Sequence, residues 1–197
     1  YFSFYTFRTE IARRPIVKPD SLLSILNKQF PDSFRNSDEG NILKDFIVSN
    51  IPKTNQDFAL DFFAKNIRNQ NVTLTQFRGK NYVLLHFWAT WCSPCVKELP
   101  LIAKIDSMYK KFGLRIISIA SKSLHPKDYP ATIKKYKMNW TNIYNDTKLV
   151  LRYGGYPVPR LVLIDKSGHI IYDTQSIGNK DDLSLNQLMQ ILKDNLK

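Results

Sequence analysis

Two residues in this 197-residue chain carry a thiol, Cys92 and Cys95, and they lie three positions apart. They sit in Phe87-Trp88-Ala89-Thr90-Trp91-Cys92-Ser93-Pro94-Cys95-Val96-Lys97-Glu98-Leu99-Pro100. At the start of a helix, positions i and i+3 are neighbours, so two thiols can reach disulfide geometry without moving the backbone. The helix N-terminus also offers unpaired N–H groups and partial positive charge, which favour thiolate over thiol. Cys92 is expected to be the more exposed sulfur and the nucleophile. Cys95, one turn in, is expected to be partly buried and to resolve the mixed disulfide. Pro94 between them removes a donor and restricts the turn. Zinc would need two further ligands, but there is no second C-x-x-C and no H-x₃₋₅-H pair, and His86, His125 and His169 are far apart. The pair therefore reads as a redox couple that needs no metal and no cofactor.

Flanking elements must hold that pair. Before it, Tyr82-Val83-Leu84-Leu85-His86-Phe87-Trp88 is a short apolar run rich in β-branched and aromatic residues, the pattern of a buried strand. After it, Val96, Leu99, Ile102 and Ile105 recur at threes, the stripe of an amphipathic helix ended by Phe112-Gly113. Pro100 inside that helix predicts a kink. Leu114 to Ala120 is the next strand, so strand, helix and strand form a parallel crossover. A helix is expected over about 130–137 and a short one over 146–153. Leu161 to Asp165 and His169 to Tyr172 form a hairpin around Lys166-Ser167-Gly168. A last helix, 181–196, turns Leu185, Leu188, Met189 and Leu192 inward. Upstream, 57–63 and 72–74 read as two strands around the polar turn 65–71.

The motif Trp88-Ala89-Thr90-Trp91-Cys92-Ser93-Pro94-Cys95, followed by Glu98 and Pro100, resembles the thioredoxin-like thiol–disulfide oxidoreductases of the TlpA/ResA type. The resemblance runs from about residue 55 to the C-terminus. It includes Asp57-Phe58-Ala59-Leu60, Val72-Thr73-Leu74 and Phe77-Arg78-Gly79-Lys80, which resemble the extra N-terminal hairpin and the F-x-G-K turn of that family. It implies an α/β thioredoxin fold with an extra N-terminal β-hairpin, preceded here by a small helical segment. It also implies disulfide-containing protein substrates, an upstream thiol donor and a periplasmic or otherwise extracytoplasmic location.

The resemblance points to further site residues. Pro159 matches the cis-proline that faces the C-x-x-C, with Val158 offering its backbone to an extended substrate. Arg160 departs from the threonine frequent there; it is either a cation near the thiols or a solvated strand end. Glu98 matches a glutamate that helps set the thiol pKa, or it faces solvent. His86 stands where thioredoxins often have aspartate and relatives asparagine. It either moves protons to Cys95 or is a hydrogen-bonded core histidine.

Residues 1–50 carry seven Lys+Arg and six Asp+Glu and no residue of catalytic character, so nearly all of the net charge of +12 belongs to 51–197. The basic residues are scattered, with no run longer than a pair such as Lys110-Lys111 or Lys134-Lys135, which is a soluble basic surface and not a nucleic-acid footprint. Three helices are expected in 1–50: an aromatic-rich one through Phe2, Phe4, Tyr5, Phe7 and Ile11; one from Pro19-Asp20-Ser21; and one from Ser37-Asp38-Glu39. The domain reading is a helical segment over 1–50 and a thioredoxin-like domain over 51–197. Starting at Tyr1, with no leader-like segment, the chain reads as a piece of a longer protein whose membrane tether would lie outside it. A competing function is a non-enzymatic binding module that docks a partner through the helical segment.

Overall fold

The computed structural model describes residues 19–38, 40–41, 43–44, 58–121, 127–144, 146, 149–150, 153, 158–175 and 181–196. The chain divides into two compact units, one comprising 1–54 with 151–154, the other 55–150 with 155–197.

In the first unit, α1 (Pro19–Gln29) starts at the expected proline. The break expected at Phe30-Pro31-Asp32 takes the form of a separate one-turn helix, α2 (Asp32–Arg35). Pro31 caps it in an extended conformation, Arg35 pairs with Asp32 across the turn, and the Phe30 and Phe34 rings stack at 4.9 Å. Asp38, Gly40, Asn41, Leu43 and Lys44 are helical where the third helix is expected. The aromatic helix expected over the first residues lies outside the described residues.

The second unit is built on a five-stranded sheet in the order β5-β4-β3-β6-β7. Its strands are β3 (Tyr82–Trp88), β4 (Leu114–Ala120), β5 (Thr141–Tyr144), β6 (Arg160–Ile164) and β7 (Ile170–Asp173). β3, β4 and β5 run parallel; β6 is antiparallel to β3 and β7 to β6. β3 lies at the centre and is covered on both faces, which is why its sequence is a continuous apolar run and not an alternation. The crossover from β3 to β4 is α3 (Ser93–Tyr109), and α4 (Asp128–Lys135) precedes β5. The closing helix α5 spans Asp181–Asn195. One core gathers Leu84, Ile116, Leu161 and Leu163 from the sheet, Ile102 and Ile105 from α3, and Leu188 and Leu192 from α5. This is the expected thioredoxin fold.

Several local expectations are corrected. β5 was not expected, because Thr141 and Asn142 interrupt the apolar pattern of an edge strand. The hairpin is present but displaced: β1 is Phe63–Lys65, which shares only Phe63 with the strand expected over 57–63, and β2 is Asn71–Thr73, so Lys65 and Asn71, expected in the turn, are paired. Residues before Phe63 leave strand geometry because Asp61 Oδ1 accepts N–H bonds from Phe62, Leu74 and Thr75 instead. The loop is closed by Asn66 Oδ1, which accepts from the Arg68 and Gln70 amides. This segment touches the sheet at two places: Ile67 N–H donates to Asn142 O, and Ala59 N–H donates to Gly168 O beside the Phe58–His169 bridge. The buried stripe of α3 starts at Cys95, not Val96, and continues through Leu99, Ile102, Ile105 and Tyr109. The helix runs on through Pro100 to a 3₁₀ turn that Gly113 ends in the left-handed region, φ 97°. α4 begins two residues earlier than expected. Most of the short helix expected over 146–153 lies outside the described residues.

Candidate functional site

The path from β3 to α3 takes four residues, and the fourth, Cys92, is the N-cap of α3. Its backbone is extended, φ −87° and ψ 100°, and its sulfur accepts the N–H of Cys95 at 3.2 Å. Pro94 sits in the first turn, where a missing N–H costs nothing. Cys92 and Cys95 are joined by a disulfide with Cα atoms 5.3 Å apart. Both sulfur residues are buried, Cys92 at 5% exposure and Cys95 at 0%. Cys92 is thus the outer of the two by a small margin, beside Trp91, which is 58% exposed.

Across from the pair, the carbonyl oxygen of Val158 lies 3.7 Å from Cys92 Sγ. The Val158–Pro159 peptide is cis. Pro159 leads directly into β6, whose first residue, Arg160, is in register with Phe87 on β3. Register partners share a face, so Arg160 lies on the sheet face opposite to His86 and Trp88. Neither expected reading of Arg160 holds: it is buried, and its Nε and one terminal nitrogen donate to the two oxygens of Asp173 at 3.0 and 2.6 Å. The strand start that follows Val158-Pro159 is thereby pinned to β7.

Beneath the thiols lies a polar chain inside an apolar core. His86 is completely buried. Its Nε2 is 3.1 Å from Glu98 Oε1, and its Nδ1 is 3.0 Å from Ser118 Oγ. Ser118 Oγ also accepts the Trp140 Nε1–H at 2.7 Å. Glu98, one turn past Cys95 on α3, is turned inward onto His86, with its side chain 12% exposed. His86 is therefore the hydrogen-bonded core histidine of its two readings, and Glu98 does not face solvent but is the partner of that histidine. Ser118 and Trp140 were not singled out from sequence. Ser118 had a signal, a hydroxyl inside the apolar strand Leu114–Ala120; Trp140 had none.

Around the pair, Trp88, Leu99, Ala120, Tyr129 and Met138 form a second core. The Trp88 ring stacks on His86 at 6.0 Å and on Tyr129 at 5.5 Å, and Tyr129 stacks on Tyr144 at 4.3 Å. Burial, with a smaller contribution from Tyr144, pushes the Tyr129 phenol well above its ordinary pKa. Its hydroxyl donates to Ile143 O at 3.3 Å. His169 lies elsewhere, at the β6–β7 turn, with its ring against Phe58.

Residues 55–173 match the AhpC/TSA family. A thiol-disulfide oxidoreductase ResA of Bacillus thuringiensis is 30% identical over 128 residues, covering 64% of this chain and 72% of that protein. The thioredoxin domain of a thiol-disulfide oxidoreductase from Bacteroides vulgatus superposes with a TM-score of 0.56 at 25% identity, covering 68% of this chain and 95% of the other. A thiol:disulfide interchange protein from a Bacteroides species shares the fold, with a TM-score of 0.57 at 24% identity over 70% of this chain and 89% of its own. With a C-x-x-C disulfide at the head of the helix that follows the central strand, this chain belongs to the AhpC/TSA family and, within it, to the thiol–disulfide oxidoreductases similar to ResA.

Proposed function

We propose that this protein reduces disulfides of extracytoplasmic proteins, drawing electrons from an upstream thiol donor. Cys92 thiolate attacks one sulfur of the substrate disulfide and releases the other as a thiolate. Cys95 thiolate then attacks Cys92 Sγ, the second substrate sulfur leaves, and the Cys92–Cys95 disulfide forms. Two electrons pass to the substrate, and a donor dithiol returns them by the reverse exchange. No cofactor takes part. The observation that carries this reading is the difference between the two sulfurs, Cys92 outermost beside exposed Trp91 and Cys95 wholly buried one turn inside. In this reading the Val158 backbone and the Trp91 ring receive an extended substrate segment, and Pro94 shapes the turn that presents Cys92. Glu98 and His86 handle the proton of Cys95. The extracytoplasmic assignment rests on likeness to ResA proteins; among the described residues no helix is long and apolar enough to cross a membrane.

The test is the reduction potential of the pair, with turnover of insulin disulfides in the presence of dithiothreitol. A value near that of thioredoxin, about −270 mV, with Cys92-dependent turnover, is expected for a reductant. A value near about −120 mV would assign the opposite direction.

A further inference from the structure

The His86–Glu98 pair does not stand alone; it is the near end of a four-residue chain that ends at Trp140. An indole nitrogen can only donate, so the 2.7 Å contact consumes one lone pair of Ser118 Oγ. The hydroxyl has one hydrogen, and His86 Nδ1 is its remaining partner among the described residues. If Nδ1 carried a proton, both would point hydrogens at each other or the buried hydroxyl hydrogen would find no acceptor, which is unfavourable in a core. The satisfied arrangement has Ser118 donating to Nδ1, and the imidazole proton on Nε2, facing Glu98 Oε1 at 3.1 Å. That N–H donates to Glu98 Oε1 and so fixes the orientation of the carboxyl group one turn from Cys95.

We infer that Ser118 and Trp140 are positioning residues for the thiol pair: Ser118 fixes the His86 tautomer, Trp140 fixes Ser118, and the outcome is a Glu98 side chain oriented to take the Cys95 proton. The inference rests on the disulfide-exchange reading. The groups facing this chain among the described residues are few. α3 supplies Glu98 and the two cysteines. β4 supplies the Ser118 hydroxyl between apolar neighbours. β6 puts Leu161 opposite His86 and keeps Arg160, paired with Asp173, on the other face. α4 supplies Tyr129, a phenol held neutral by burial. The packed part of α5 contributes leucines. No other charge in this set competes with Glu98 for the proton.

The test separates the two sulfurs. Reduced protein is mixed with 5,5′-dithiobis(2-nitrobenzoate) in a stopped-flow instrument: attack by Cys92 releases one thionitrobenzoate, and resolution by Cys95 releases the second. In Ser118→Ala the first release is expected to keep its wild-type rate, while the second slows about tenfold at neutral pH and its profile moves up by about one pH unit. Trp140→Phe is expected to give a smaller shift in the same direction, and Ser118→Thr, which keeps the hydroxyl, to restore the wild-type profile. Superposable profiles for wild type and Ser118→Ala would overturn the inference. A wild-type protein that releases neither thionitrobenzoate would instead overturn the disulfide-exchange reading. Because Ser118→Ala can fail to fold, ¹⁵N NMR of the His86 ring in wild-type protein gives an independent answer: protonation at Nε2 supports the inference, and protonation at Nδ1 overturns it.

Discussion

Arg160→Met is expected to unsettle the second unit more than any surface substitution would. The guanidinium and the Asp173 carboxylate are 8% and 12% exposed and share two charge-assisted bonds, at 3.0 and 2.6 Å. Solvent screening, which reduces exposed pairs to about 0.2–1 kcal/mol, is largely absent here. Removing the arginine leaves a shielded carboxylate whose remaining support includes the Gln175 N–H at 3.0 Å. A loss of about 3–5 kcal/mol is expected for breaking one side of such a pair, nearer the lower end because that amide remains. In a cycle with Asp173→Ala, the coupling should be about 1.5–3 kcal/mol, the range for hydrogen bonds to charged groups. Urea unfolding followed by tryptophan fluorescence is a clean assay, because Trp88, Trp91 and Trp140, the three tryptophans of the chain, all belong to the second unit. Since Arg160 follows Pro159 directly, the same variant should slow attack on protein disulfides by Cys92. A coupling below about 0.5 kcal/mol would show a solvated pair of the ordinary surface kind and refute the reasoning.

Cys95→Ser should accumulate mixed disulfides through Cys92 and Cys92→Ser should trap none, as read by mass spectrometry after incubation with an oxidised protein; equal trapping would reverse the assigned roles. Trp91→Ala should leave stability within about 0.5 kcal/mol yet raise KM for protein disulfides more than for small ones, which steady-state kinetics would show. Removal of residues 1–50 should preserve folding and activity on a small disulfide, checked by circular dichroism and turnover. For Tyr129, the folded phenol stays neutral after the unfolded one ionises near about pH 10, so the unfolded state binds fewer protons above that pH and stability falls as pH rises. Tyr129→Phe should remove one proton's worth of that slope, about 1.4 kcal/mol per pH unit, measured by urea titrations above pH 10.

How legible each feature was depended on how local its cause is. β3, β4 and α5 are dictated by their own runs of apolar residues, and they appear within a residue or two of where those runs place them. The sulfur pair follows from three-residue spacing plus a helix start. Glu98 was visible as a position but not as a direction, because its orientation is set by His86, twelve residues away on another element. Arg160 was misjudged for the same reason: Asp173 becomes its neighbour only once β6 and β7 are paired. Ser118 and Trp140 meet through the β4–β5 side of the sheet, and β5 itself hides behind Thr141 and Asn142. The strand expected over 57–63 fails because one carboxylate, Asp61, competes for three backbone amides.

The segment from Phe58 to Ile67 does more than precede the sheet. Its Ile67 amide occupies an outward carbonyl of edge strand β5, and its Ala59 amide occupies the turn that feeds edge strand β7. An unoccupied strand edge is a template on which another extended chain can polymerise. One short stretch thus fills a backbone hydrogen-bonding position at each margin of the sheet, on β5 itself and at the turn before β7, and leaves fewer open positions there for a foreign strand to pair with.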